Sequence, residues 1–334
     1  MSKILCLGSA GKDIFFPTSE GKIIETPEDV MSQKKIAFEL GTKYKIENRY
    51  EALGGCAANV SAGLAKLEIK AYCAAQVGDD AIGVWIQEEL KKNKVNLDLV
   101  SAQKEKTSDL SAIIVDTATA EKTIFSSKNS SGDLELNSQK IQDIEWFFVG
   151  DIHGQWEDQL ESVMALARER KKRVAFNPRE ASIHEDASEI VKAIGLCEIV
   201  FVNKDEAIEI VSHMLKDAKD EKINGEKFLL EKLKSLEPKI VALTDGIKGA
   251  WVFDGKIFLY AKSLDVPAID STGAGDSFLS GFLSAYLKGK SLEECLKWGI
   301  ADSANVVTRY GAIDGLLDEN EIIKKSQSVI VEKI

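Results

Sequence analysis

Short apolar runs and helical repeats alternate along most of the chain. Ile4 to Leu7 is a continuous apolar run closed by Gly8, which reads as a buried first strand. The run "AYCAAQVGDD" (71–80) reads as a strand feeding an amphipathic helix, "AIGVWIQEELKKNK" (81–94). "WFFVGD" (146–151) precedes the helical "QWEDQLESVMALARERKK" (155–172). "RVAFNP", "IVFVN" and "KIVALTDG" are further apolar runs, with helical segments between them. Strands that are apolar on both faces and alternate with helices predict an α/β fold. Its core is a doubly wound, mostly parallel sheet covered on both sides. Ligands of such sheets gather beyond the carboxyl ends of the strands.

Two regions break this rhythm. Residues 14–53 form a long polar excursion with period-two alternation in "KIAFEL" and "KYKIEN". Residues 110–126 read as two strands around a turn. Together they predict a small β-sheet lid (14–53 and 110–126) projecting from a core made of 1–13, 54–109 and 127–334. Ordinary surface loops are the alternative. Near the C-terminus, Phe278, Leu279, Phe282, Leu283, Tyr286 and Leu287 mark one helix face. A second helix is expected from Ser291, with Glu294 three residues on as a capping-box partner.

Composition narrows the function classes. The 334 residues are 44% hydrophobic and carry a formal net charge of −11, which disfavours a broad nucleic-acid interface. No apolar run approaches the roughly 20 residues of a membrane span. Five scattered cysteines without a C-x-x-C pair support neither a zinc knuckle nor a disulfide framework, and the expected setting is reduced and cytoplasmic.

The chemistry concentrates in "IDSTGAGDSFLSGFL" (269–283). Gly273, Ala274 and Gly275 stand where a helix begins, and helix starts bind anions through free N–H groups and the helix dipole. Asp276 follows at once. A carboxylate would repel a resident anion, but it suits an anion in transfer. It can take the proton of an attacking hydroxyl while the N–H groups stabilise the phosphates. Read alone, the segment is equally a glycine-rich turn with an aspartate cap. A Walker loop does not fit "GSAGKD", and the third glycine of a dinucleotide fingerprint is missing after Gly275.

"DSTGAGDSFLSGFL" resembles the C-terminal signature of the ribokinase-like (PfkB) carbohydrate kinases. "GGCAANVSAGLAKL" (54–67) resembles the N-terminal signature of that family. "VGDDAIG" (77–83), "VNKDEA" (202–207) and "LTDGIKG" (243–249) resemble further blocks, in the family's order and over nearly the whole chain. The resemblance implies a ribokinase-like fold and ATP-dependent phosphorylation of a hydroxyl, with Asp276 as base and Gly273, Ala274 and Gly275 as anion hole. It implies that Asp13, Gly54, Gly55 and Asn59 hold the acceptor, and that Asn203, Thr244, Gly246 and Gly249 border the nucleotide. It places Glu206 on the Mg²⁺ side, through water. Asn203 and Glu206 also read as a simple helix cap. "VVTRYGAID" (306–314) resembles a monovalent-cation segment, in which Asp270 with backbone groups of Thr272, Val306, Arg309 and Gly311 would hold K⁺. The competing reading pairs Asp270 with Arg309 inside a packed loop.

Cys56 and Ala57 stand where ribokinases proper have a Lys-Gly pair, so a sugar other than ribose is the leading acceptor; the long lid excursion between Asp13 and Gly54 also fits a nucleoside, the runner-up. Aromatics of the lid (Phe15, Phe16, Phe38, Tyr44, Tyr50) either stack on a purine or pack the lid itself. Asp151 is a lesser acceptor candidate. Arg179 reads as a phosphate contact or an exposed ion pair, and the three histidines form no cluster in sequence. A catalytically idle metabolite sensor is the alternative class, and an edge of the lid sheet permits a homodimer.

Overall fold

The computed structural model describes residues 2–26, 34–46, 48–119, 122–130, 132, 134, 136, 139–215 and 221–334. The chain opens with β1 (Lys3–Leu7), β2 (Gly11–Thr18), β3 (Lys22–Glu25), β4 (Lys34–Ala37) and β5 (Tyr50–Gly54). Next come α1 (Cys56–Lys66), β6 (Lys70–Gly78), α2 (Ala81–Lys92), β7 (Asn96–Gln103), β8 (Asp109–Asp116) and β9 (Lys122–Ser127). The middle of the chain gives β10 (Trp146–Val149), α3 (Trp156–Glu169), β11 (Arg173–Phe176), α4 (Glu180–Ile194), β12 (Ile199–Asn203) and α5 (Lys204–Leu215). It ends with α6 (Glu226–Lys234), β13 (Ile240–Thr244), β14 (Ala250–Phe253), β15 (Phe258–Ala261), α7 (Ala274–Leu287), α8 (Leu292–Val306), α9 (Glu319–Ser326) and β16 (Val331–Lys333).

A ten-stranded sheet runs in the order β16-β15-β14-β13-β12-β11-β10-β1-β6-β7. From β13 to β7 all neighbours are parallel, and β14, β15 and β16 add an antiparallel edge. The switch at β13 follows from its connection. Only residues 245–249 join β13 to β14, and a parallel return needs a crossover of a dozen or more residues.

The pleat divides the apolar residues between two cores. Ile4 and Cys6 of β1, with Trp146 and Phe148 of β10, face α1, α2, α7 and α8. Leu5 and Leu7, with Phe147 and Val149, face α3, α4, α5 and α6. Both faces of the parallel strands are therefore dry, which is why these strands read as unbroken apolar runs.

A second sheet has four strands, in the order β5-β2-β8-β9. Its central pair, β2 and β8, is parallel and its outer pairs are antiparallel. "KIAFEL" contributes β4, which pairs with β3 as a separate hairpin, whereas the described residues of "KYKIEN" form no strand. The small sheet reaches further in sequence than the excursion at 14–53. β2 starts at Gly11 and β5 ends at Gly54, so Asp13 and Gly54 both lie on its strands. Beneath it Phe15, Ala52, Ile113 and Val115 are buried against Tyr310, which comes from the loop after α8. That contact seats the small sheet over the carboxyl-end side of the large one.

Candidate active site

Two helices that start at the same place supply the central pair. Asn59 lies in the first turn of α1 and Asp276 in the first turn of α7. The Asn59 Nδ2 donates to Asp276 Oδ2 at 2.8 Å. One turn deeper on the same two faces, Gly63 meets Ser280 so closely that a Cβ at 63 would lie 2.2 Å from the Ser280 Oγ. The missing side chain lets the helices approach, and that approach sets the reach of Asn59. Before α1, Gly55 has φ 91° and a Cβ there would lie 2.6 Å from the Ser9 carbonyl oxygen. Gly54 is pressed against Asp13, whose Oδ2 would lie 2.5 Å from an added Cβ.

Three carboxylates gather here with different electrostatics. Burial pushes the Asp276 carboxyl up to about 6, hydrogen bonds from Asn59 and Cys56 pull it back, and the charges of Asp151 and Asp13 add to the rise. Cys56 is pushed well above its ordinary value by burial and by the neighbouring Asp276 and Asp151, so it stays a thiol and donates. Asp13 is raised by burial, against a Ser111 hydrogen bond and the charges of Lys128 and Lys122. Burial acts on Asp151 too, but hydrogen bonds from His153 and Ser9 outweigh it and hold its carboxyl below the usual range. Ser9 donates to Asp151 from its N–H at 3.1 Å and its hydroxyl at 2.6 Å.

His153 Nε2 lies 3.4 Å from Asp151, while Arg179 donates to His153 Nδ1 at 2.8 Å. A guanidinium cannot accept, so the imidazole proton is on Nε2, facing Asp151. Arg179 is held in turn by Ser182 and Glu185, so the ion-pairing reading of this arginine describes its place. The result is one carboxylate fixed as an anion beside another that titrates near neutrality, a pattern that separates acid and base roles.

The glycine segment forms the other wall. Gly273 is the N-cap of α7 at φ 73°, and a Cβ there would lie 2.3 Å from the Ala312 Cβ. Gly275 faces open space. The N–H groups of Gly275 and Asp276 find no acceptor among the described residues, so two donors of the helix start are left for a ligand. Behind this loop Asp270 is 2% exposed. Its Oδ1 accepts from the Thr272 N–H at 3.0 Å and hydroxyl at 2.7 Å, and its Oδ2 from the Gly311 N–H at 3.1 Å. Arg309 turns away to the Asp314 carbonyl at 3.5 Å, and its N–H caps the Val306 carbonyl at 3.1 Å. The cation beside Asp270 is Lys122 of β9, at 3.3 Å.

A second group sits at the carboxyl ends of β12 and β13, where Asn203 and Thr244 are register partners. The Asn203 N–H donates to Glu206 Oε2 at 2.8 Å, and the Glu206 N–H donates to Asn203 Oδ1 at 2.9 Å. This reciprocal pair caps α5. Burial, then the charges of Glu180, Asp205 and Glu209, push Glu206 up to about 7 against the Asn203 bond. Gly246 (φ 48°) is open, whereas Gly249 (φ 102°) is pressed onto the Ala261 carbonyl. Among the described residues no three His, Cys, Asp or Glu side chains are grouped to hold a metal ion.

Residues 30–319 match the model of the pfkB family carbohydrate kinases. The chain belongs to that family. It is therefore a phosphotransferase with a hydroxyl acceptor. This kinase is 27% identical over 326 residues to a ribokinase of Schizosaccharomyces pombe, covering 95% of each chain. It is 23% identical over 289 residues to a nucleoside kinase of Methanothermobacter thermautotrophicus, covering 86% of this chain and 88% of the relative. Its fold matches that of Arabidopsis thaliana ribokinase complexed with ribose and ATP, with a TM-score of 0.76, 20% identity and coverage of 98% and 99%.

Sequence reasoning passed over Ser9, Ser111, Lys122 and Lys128, read Cys56 only as a departure from the ribokinase pattern, and gave His153 no role. Lys122 begins β9 and Lys128 follows it, where a lysine looks like any strand-end charge. Lys128 bears electrostatically on both Asp13 and Asp151 although it is far from each in sequence.

Proposed function

We propose that this kinase transfers the γ-phosphoryl group of ATP to a hydroxyl of a small sugar, with Asp276 as the general base. The observation that carries the reading is the first turn of α7. A carboxyl that titrates near 6 stands beside N–H groups with no acceptor of their own. Asp276 accepts the acceptor's hydroxyl proton as the oxygen attacks the γ-phosphorus. The bond to the bridging oxygen of ADP breaks, ADP leaves with the electron pair, and the proton remains on Asp276. In the anion hole assigned to Gly273, Ala274 and Gly275, the N–H groups left free at the helix start, those of Gly275 and Asp276, stabilise the charge on the transferring group.

Asp13, Gly54, Gly55 and Asn59 are assigned to the acceptor, and Asn203, Thr244, Gly246 and Gly249 to the nucleotide. Glu206 is crowded by three other carboxylates, so a divalent cation nearby relieves it; Mg²⁺ held through water fits a site with few direct protein ligands. Bound there, Mg²⁺ neutralises phosphate charge. The small sheet is assigned as a lid that excludes water. Its outer strand β9 exposes Ile124 (49%) and Phe125 (64%) along an edge with no partner strand among the described residues, which suits pairing with a second copy, and sedimentation velocity tests that.

A sugar is favoured over a nucleoside because four aromatics of the 14–53 excursion are already engaged. Phe15 is buried, Tyr50 stacks on Tyr310 at 4.5 Å, and Phe38 meets Tyr44 edge-on at 5.2 Å. The deciding experiment is a screen of sugars and nucleosides for acceptor-dependent ADP release from ATP. A sugar with the highest kcat/KM supports the reading, and a nucleoside at the top replaces the acceptor while keeping the chemistry. No turnover with any acceptor favours an idle binding protein.

A further inference from the structure

The loop that presents the Gly273–Gly275 donors hangs on one buried carboxylate. Asp270 accepts three hydrogen bonds from its own loop and from Gly311, all of them from neutral donors. A buried carboxylate needs a countercharge as well as donors. The resemblance would have a free monovalent cation supply it. The residues present do not fit that ion. A charged donor is already in place: the Lys122 ammonium lies 3.3 Å from Asp270 Oδ1 and 2.6 Å from the Thr272 hydroxyl. That hydroxyl in turn donates to Asp270 Oδ1 at 2.7 Å, so ammonium, hydroxyl and carboxylate close a three-membered ring of contacts. The Val306 carbonyl of that segment already accepts the Arg309 N–H at 3.1 Å.

The source of the charge matters as much as its presence. Lys122 is the first residue of β9, paired with Val115 of β8, and so belongs to the small sheet rather than to the core. Its side chain is 21% exposed, with the stem covered and the ammonium turned to Asp270. Thr272 is the residue before Gly273, the N-cap of α7. A charge carried by the small sheet thus fixes the residue that precedes the anion cradle.

We propose that Lys122 is a tethered cation standing in for a free monovalent ion at Asp270, and that it makes seating of the lid and ordering of the 270–275 loop one event. Lys122 is then a positioning residue, which acts on the phosphoryl group only through the loop. The proposal rests on the kinase reading, but two of its three readouts do not require turnover.

The test compares the parent with Lys122→Met, which keeps the four-atom stem and removes the ammonium, in K⁺, Na⁺ or tetramethylammonium at one ionic strength. Three quantities are read: Tm, thallium-205 NMR with Tl⁺ as a K⁺ probe, and steady-state rate with the best acceptor. The parent is expected to show the same Tm in all three salts, no saturable Tl⁺ binding, and rates equal within about two-fold. Lys122→Met is expected to lose at least ten-fold in kcat with a smaller change in acceptor KM. It should also gain saturable Tl⁺ binding, a K⁺-specific rise in Tm and at least five-fold rate recovery in K⁺. Saturable Tl⁺ binding or strong K⁺ activation in the parent overturns the proposal, and that measurement stands even if the variant does not fold. Loss of rate in Lys122→Met without K⁺ rescue or Tl⁺ binding overturns it too. Failure of every acceptor sinks the kinase reading and leaves the binding and Tm results to judge Lys122.

Discussion

Replacing Asp276 by Asn separates the cost of the base from its use. Asparagine has the shape of the protonated acid and no ionisable proton. Asp276 moves from 3.8 to about 6 on folding, so at neutral pH its ionised form is held at a cost of about 3 kcal/mol, at 1.36 kcal/mol per pKa unit. The direction follows from proton binding. Between pH 3.8 and about 6 the folded chain holds this proton and the unfolded chain does not. The stability this group contributes is therefore fully present below 3.8 and lost as pH rises through about 6. Asp276→Asn should then be more stable than the parent at pH 8 by up to about 3 kcal/mol. An unfolding entropy of about 2.1 cal/mol/K per residue over 334 residues converts this to about 4 °C in Tm. The gain should vanish near pH 4.

Over the same substitution kcat should fall about 10²–10⁴-fold. The acidic limb of the parent's kcat/KM profile, with its midpoint near 6, should be absent from the residual activity. Thermal melts at pH 4 and pH 8 and initial rates from pH 5 to 9 check each part. Turnover within a few-fold of the parent refutes the base assignment. A Tm difference that is the same at both pH values refutes the electrostatic account of the carboxyl.

Glu206→Gln keeps the cap on α5, because an amide oxygen still accepts from the Asn203 N–H, but it removes the charge. The Mg²⁺ concentration for half-maximal rate should rise several-fold while acceptor binding without nucleotide is unchanged; an unaltered Mg²⁺ titration assigns Glu206 to the cap alone. Gly54→Ala puts a Cβ about 2.5 Å from Asp13 Oδ2 and must displace that carboxylate, so acceptor KM should rise at least ten-fold with ATP affinity intact, as steady-state kinetics and nucleotide calorimetry will show. Saturating acceptor should slow amide exchange in β2, β5, β8 and β9, with ATP alone doing less; unchanged exchange in all four strands removes the lid assignment.

The parallel core was legible because burial on both faces leaves no polar positions to confuse the period, as "WFFV" and "IVFV" show in β10 and β12. The helix start at Ser291 was equally plain, and its box with Glu294 is formed on both sides. The small sheet was harder. β2 carries Lys12 and Asp13 among its apolar residues, and "KYKIEN" alternates without a partner among the described residues. Alternation signals a half-buried face, but only a neighbouring strand makes it a sheet. At the site, Asp276 and Asn59 could be picked out through their glycines. Lys122 could not, because its partner lies 148 residues away and a lysine at a strand end looks like any solvated charge. Asn203 and Glu206 show the opposite difficulty: one N-x-x-E spacing serves a helix cap and a metal site alike.

The contact between Gly63 and Ser280 sets a trap for stabilisation by design. A glycine inside a helix costs roughly 1 kcal/mol relative to alanine, so any propensity-based redesign will choose Gly63→Ala. The new methyl would have to push α7 away from α1, since its place lies 2.2 Å from the Ser280 Oγ. Four residues earlier on each helix, the same displacement would draw the Asn59 amide away from Asp276. Fitness of this helix pair is thus bounded by geometry one turn below the chemistry, and the residue most open to improvement by local rules is among the least free to change.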